Sequence, residues 1–361
     1  MPELKSFLKQ IISLPGLSGY EGPVREVVAE AWGPLVDELT VSRLGSLHGL
    51  RRGTGPEPRP RLLLAAHIDA IGLMVTAITP EGLLRVTEIG GVDPRILVGM
   101  PVTVHATHGV PRDLPGIAAQ PPDRLLPKNR AGKPAKLEHI LIDTGLEPDE
   151  VKSAVRIGDL VSFATQPVEL AGDALVGHSL DNRASVAALT VALEELKHSA
   201  HAWDVYAVAT VQEEETLGGG FTSPFEIQPQ LAVAIDVTFA KGPGAGDWRT
   251  FPLGKGVTLG WGPNTHPRLF DAFKAVAERI DLPYAVEVYP QHSGTDAMGI
   301  QLVAQGIPTM VLSIPLRYMH TPVEVVSLKD VARAGRLLAA FVASLEPDFM
   351  DKNMRWEEDH D

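Results

Sequence analysis

The sequence predicts an α/β protein: a mixed sheet sandwiched by helices, with a small β-barrel-like domain inserted into it. Three observations predict it. From about residue 170 onward, short β-rich runs alternate with helical stretches, which is the pattern of a sheet covered on both faces. Residues 71–167 instead hold short β-like runs rich in glycine and proline, GLLRVTEI, MPVTVHAT and DLVSFAT among them. That composition suggests a barrel or sandwich. Finally, LLLAAHIDAIGLMV at 62–75 is an apolar run broken only by His67 and Asp69, and the insertion begins just after it.

The elements follow in order. MPELKSFLKQIISLPG places Leu4, Phe7, Leu8, Ile11 and Ile12 at helical spacing, with Lys5 and Lys9 between them. It reads as an amphipathic helix without the apolar core of a signal peptide. The strands of the second half are DVYAVATV (204–211), LAVAIDV (231–237), YAVEVY (284–289) and PTMVLSI (308–314). Helical spacing joins Val186, Leu189, Leu193 and Leu196, then Leu269, Phe270, Phe273, Val276 and Ile280, and finally Val331, Leu337, Leu338 and Phe341. The expected organisation is an α/β domain from 1–70 and 168–345, the insertion at 71–167, and a charged tail at 346–361 whose last stretch, DKNMRWEEDHD, is expected to fray.

Composition narrows the function. A formal net charge of −13 argues against nucleic acid or an anionic membrane as the main partner. No apolar run approaches the ~18 residues needed to span a bilayer, so the expectation is a cytoplasmic protein. The chain has no cysteine, which excludes disulfides and thiolate metal sites and leaves His, Asp and Glu as the available ligands. The basic stretch around Lys128, Arg130 and Lys133 reads equally as a solvated loop or as a contact for acidic peptides.

Side chains two apart on a strand share a face, so His67 and Asp69 project together. Burying that carboxylate needs a partner, either the histidine itself or a metal ion. Asp181 stands in GHSLDNRASVAAL as a helix N-cap or a ligand. Glu213, Glu214 and Glu215 follow the strand 204–211 before three glycines. They form a solvated acidic run or part of the crevice that α/β folds place at strand ends. Asp236 interrupts an apolar strand, and His320 follows another. His67, Asp181, one glutamate, Asp236 and His320 all fall at or beyond the strand ends of one sheet. Charge supports a metal pair: two divalent cations balance three carboxylates and one hydroxide, and two neutral imidazoles complete the set. Nitrogen and oxygen donors without sulfur suit zinc, cobalt or manganese.

HIDAIGLMV, SLDNRASVAAL, QEEETLGGG, AIDVT, SGTDA and YMHTPVE, in that order, resemble the tetrahedral-assembly (TET) metallo-aminopeptidases, a family that includes glutamyl and lysyl aminopeptidases and proteins once called endoglucanases. SGYEGPVREVV and GGVDPRILVGMPVTV are similar to it too, so the resemblance runs from about residue 15 to 345. It implies a zinc-peptidase α/β fold, an inserted domain that mediates dimerisation, and dimers assembling into a dodecamer. By position, it implies that His67 and Asp236 hold one metal, Glu214 and His320 the other, and that Asp181 bridges them. Zinc or cobalt is the expected pair. Glu213 becomes the general base and Asp69 the residue that orients His67. In SGTDAMG, Thr295 and Asp296 open a helix and read equally as part of the substrate pocket or as a simple cap. The substrates are peptides with free N-termini.

The sequence departs from the family at Glu215 and Thr216, and at Phe239, Ala240 and Lys241. Two other readings stay open. A metal-stabilised scaffold would keep the ligands without cleaving peptides, and a glycoside hydrolase would use paired acids but leave His67 and His320 without a role.

Overall fold

The protein is described by a computed structural model covering residues 4–125 and 132–354. Its architecture begins with the strand Arg61–His67. Successive side chains point to opposite faces, and here both sets are apolar. Leu62, Leu64 and Ala66 enter one core, whereas Leu63 and Ala65 enter another. A strand buried on both faces belongs inside a parallel sheet. It lies parallel to Asp204–Thr210 on one side and to Leu231–Phe239 on the other, and the latter pairs in parallel with Thr309–Arg317. The carboxyl ends of these strands therefore gather along one edge.

Among the described residues the sheet has eleven strands. Antiparallel strands complete it: Glu38–Val41 and Leu47–Arg51 at one side, Glu324–Ser327, Ala174–Gly177 and Val168–Leu170 at the other. Val257–Trp261 pairs with Thr309–Arg317 and carries Tyr284–Val288 as a further parallel strand. Helices Leu180–Leu196 and Leu328–Ser344 cover the larger core. They approach closely because Gly335 has no side chain: a Cβ there would lie 2.5 Å from the Ala188 carbonyl oxygen. Helix Pro267–Arg279 joins the same layer, with Phe273 stacked on Phe341 at 4.0 Å.

After His67 the chain makes one bridge, Leu17 to Ala70, and enters a closed barrel. The barrel runs Gly72–Ile78, Leu84–Ile89, Leu141–Asp143, Arg112–Ala119, Pro101–Ala106 and Leu160–Phe163, which returns to the first strand. It has its own core, including Leu73, Val104, Ile142 and Val161. An α/β sheet with an inserted barrel is the fold class expected from the sequence.

Beyond Leu345 a short helix, Phe349–Asn353, packs back: Phe349 meets Trp203 edge-on at 6.4 Å, and Met350 and Met354 touch the main core. Residues 355–361 lie outside the described residues, as do Lys128 and Arg130; Lys133 is exposed. Among the described residues no helix is long and apolar enough to cross a membrane.

The Gly335 contact has a direct test. Gly335→Leu forces apart two helices with no space between them and should cost about 1–3 kcal/mol of stability, as overpacking does. Urea denaturation checks it, and an unchanged midpoint would mean that the helices can separate freely.

Candidate active site

Six polar residues that the sequence marks as candidates meet where the parallel strands end. His67 closes its own strand, level with Thr210 on the neighbouring one. Glu213 and Glu214 begin the helical turn Glu213–Thr216 just after that neighbour. Asp236 lies near the end of Leu231–Phe239, Asp181 opens the helix Leu180–Leu196, and His320 sits in the turn between Thr309–Arg317 and Glu324–Ser327. Asp181 is at the centre: its Oδ1 lies 3.3 Å from His67 Nε2 and its Oδ2 3.4 Å from His320 Nε2. Around His67 Nε2 stand Glu213 Oε2 at 3.7 Å and Asp236 Oδ1 at 4.0 Å. Glu214 Oε2 is 3.6 Å from His320 Nε2.

These groups could hold a metal ion. The ligand atoms of His67, Asp181 and Glu214 lie within 4.8 Å of one another, and so do those of His67, Glu213 and Asp236. Electrostatics points the same way. Burial raises the Glu214 carboxyl to about 8 and pushes Glu213 and Asp236 well above the usual carboxylate range. Burial opposes a charged His67, yet the carboxylates around it prevail and raise its pKa. Contact with Asp181 lifts His320 to about 9. Acids that resist ionisation beside imidazoles that favour a proton mark a site short of positive charge.

Behind the cluster, buried groups fix its geometry. Asp69 is wholly buried and accepts the Ser18 hydroxyl at 2.6 Å and the Glu213 and Glu214 backbone N–H groups at 3.0 and 3.1 Å. Its Oδ1 also faces His67 Nδ1 at 3.4 Å. Burial alone would raise the Asp69 pKa, but His67 and these donors hold it below its ordinary value. Glu324, also buried, accepts the backbone N–H groups of Asp181 and His320, each at 3.0 Å. Arg183 donates to the carbonyls of Ile11, Leu14 and Ile68, tying the N-terminal segment to the site.

The cluster forms one end of a cavity of about 440 Å³. Thr295 faces this cavity, whereas Asp296 lies behind it and accepts the Thr210 hydroxyl at 2.5 Å. Glu215 points away from the cavity lining: its carboxylate accepts the Gly90 N–H, which ties the helical turn to the loop leading out of the first barrel hairpin. Lys241 likewise does not line the cavity, whereas Phe239 does.

Sequence reasoning missed Ser18, Glu324, the buried role of Arg183, and Glu287, which also lines the cavity. Ser18 and Glu324 lie within SGYEGPVREVV and YMHTPVE, so their motifs were visible while their partners were not.

An α/β sheet whose strand ends collect imidazoles and carboxylates at a cavity, with a barrel inserted beside them, has the donor set of a metal-dependent enzyme. The chain belongs to the M42 glutamyl aminopeptidase family, whose profile matches residues 45–337. It is 36% identical over 344 residues to a lysyl aminopeptidase of Pyrococcus furiosus, covering 94% of this chain and 97% of the relative. Among solved structures, an aminopeptidase from the archaeon Desulfurococcus kamchatkensis superposes with a TM-score of 0.89 at 34% identity, covering 98% of each chain. The Pyrococcus horikoshii TET1 peptidase, described as assembling into a tetrahedron or a large octahedral shell, matches with a TM-score of 0.82 at 30% identity, over 95% of this chain and all of that one. The chain is therefore an aminopeptidase-family hydrolase, as the opening motifs suggest.

Asp69 offers a test of the supporting shell. Asp69→Ala strands the donors of Ser18, Glu213 and Glu214, at about 1–3 kcal/mol for each one left buried without a partner. Asp69→Asn keeps one acceptor oxygen and should lose less. Denaturant unfolding of both variants would show that ordering, and equal stability of all three proteins would contradict it.

Proposed function

We propose that this protein is a metal-dependent aminopeptidase that removes N-terminal residues from peptides. The observation that carries the reading is Asp181, whose two oxygens each face a different imidazole, with a further carboxylate beside each ring. That arrangement suits a bridging ligand between two divalent cations, zinc or cobalt, with His67 and Asp236 on one and Glu214 and His320 on the other. Cations bound there would supply water acidified toward a pKa of ~7 and a polarised scissile carbonyl.

The remaining chemistry belongs to the chain. In this reading Glu213, which lines the cavity beside His67, is left free of the metals, and burial gives its carboxylate a raised proton affinity. It accepts a proton from the attacking water and returns it to the leaving amine. Asp69 orients His67 through Nδ1, which leaves Nε2 facing the cavity. The surrounding carboxylates attract the free α-amine of a peptide, which makes the activity that of an exopeptidase. In this reading the barrel is the dimerisation domain, and dimers assemble further into a dodecamer.

Purified protein should release amino acids from aminoacyl-p-nitroanilides, lose that activity in chelator, and regain it with zinc, cobalt or manganese. No release with any of these metals would overturn the proposal. Glu213→Gln should retain metal by elemental analysis while kcat drops about 10²–10⁴-fold, the usual range for a lost general base. Asp181→Ala should lose the metal itself. Light scattering should show the assembly collapsing when residues 71–167 are deleted, and an unchanged number of subunits would refute the role given to the barrel.

A further inference from the structure

One carboxylate in the cavity has no part in the hydrolysis proposed above. Glu287 lies on Tyr284–Val288, is only 8% exposed, and lines the cavity beyond the metal-site cluster. Its Oε1 accepts the Thr238 hydroxyl and its Oε2 the Thr258 hydroxyl at 2.6 Å. The Tyr289 and Ser313 hydroxyls, 3.3 Å apart, are close by. Every one of these partners is neutral. Joining strands through hydroxyls needs no carboxylate, and burying one without a cation is costly.

Among the described residues neither lysine nor arginine lines the cavity. Arg249, on the far side of Phe239, is paired with Asp247 at 2.6 Å. What faces Glu287 across the cavity is the cluster where the reacting peptide bond would sit. Thr238, which holds Glu287, lies two residues after Asp236 on the same strand, hence on the same face and about 7 Å along it. Apolar side chains line the cavity as well, Leu217, Phe239, Met298 and Met319 among them, which suits a stem of methylene groups.

We propose that Glu287 closes the pocket for the N-terminal side chain and selects lysine or arginine there by receiving its ammonium or guanidinium group. The inference rests on the aminopeptidase reading and names the substrate class for it. An unbranched apolar stem packs along Phe239 and Met298, and the terminal cation reaches a carboxylate already desolvated and held in place by hydroxyls. A glutamyl side chain would bring a second negative charge into the same pocket and be rejected.

The test compares lysyl-, arginyl-, norleucyl- and glutamyl-p-nitroanilides with the metal-loaded enzyme and with Glu287→Gln. Norleucine matches the lysine stem without its charge. Wild-type kcat/KM should rank lysyl and arginyl above norleucyl, with glutamyl last. In Glu287→Gln the lysyl-to-norleucyl ratio should fall about tenfold or more, chiefly through KM, as expected for removing a buried charged partner. Calorimetric binding of L-lysinamide and L-norleucinamide to the wild-type enzyme gives a second measurement that does not depend on the variant folding. Lysinamide should bind about tenfold tighter or better, by the same argument. Cleavage with norleucyl or glutamyl preferred, an unchanged ratio in a folded Glu287→Gln protein, or equal binding of the two amides would each overturn the inference while leaving the aminopeptidase reading intact. Release of no residue from any of the four substrates would instead remove the reading on which it rests.

Discussion

The site depends on the carboxylate of Asp69. It gathers the Ser18 hydroxyl from the N-terminal segment, two backbone N–H groups from the turn after a neighbouring strand, and the Nδ1 side of His67. No one of these segments could place the others, because each is anchored to a different part of the fold. Once Asp69 is satisfied, Nδ1 of His67 is turned inward, Nε2 faces the cavity, and Glu213 and Glu214 start their helical turn in fixed positions. Second partners of this kind decide which nitrogen of an imidazole is available and how precisely it is aimed.

The sheet brings these groups within reach of one another. Parallel pairing sends the ends of four strands to the same edge, so residues far apart in sequence become neighbours without long loops. The barrel adds a contact from the side. Its Gly90 N–H is held by Glu215, and Gly91 packs so closely on His320 that a Cβ would lie 2.8 Å from Nδ1 of the ring. The Glu215 carboxylate joins the two parts of the molecule rather than adding charge to the cavity. A histidine in a turn, with a partly exposed side chain, is thereby packed from the barrel side and fixed at its backbone by Glu324.

Much of this was legible in the sequence, for a physical reason. An acid or imidazole in an apolar strand is an energetic anomaly that survives without any structure, and His67, Asp69 and Asp236 announced themselves in that way. Period-two and period-three-to-four patterns then supplied the sheet and its helices. The strand bearing His67 and Asp69 is shorter than the apolar run suggested: it stops at His67, and Asp69 is buried just beyond it. Val257–Trp261 went unnoticed because VTLGW is short and contains a glycine. The hydroxyls around Glu287 were also hidden. They come from four different strands or strand ends, and only the register between those strands brings them together. Asp296 was legible as unusual but not as lying behind the pocket wall, since that depends on its bond to Thr210.

Charge sets what the cavity can accept. Asp181, Glu213, Glu214, Asp236 and Glu287 all face it, and among the described residues the only basic side chains in its lining are two imidazoles. The nearby guanidinium of Arg183 does not enter the cavity; backbone carbonyls take its hydrogen bonds, and burial lowers its pKa to about 9. Its positive charge therefore acts on the cluster only through space, from behind, where it offsets Asp69 and Glu324 rather than the acids in front. The negative character of the cavity is thus left for its ligands to neutralise. It falls into two parts: a compact group of acids and imidazoles with the spacing of metal ligands, and a single carboxylate set back along an apolar wall. Metal ions complement the first part, whose donors converge on common points. The second offers two oxygens already ordered by hydroxyls and no imidazole, so it suits one organic cation at the end of a side chain better than a metal.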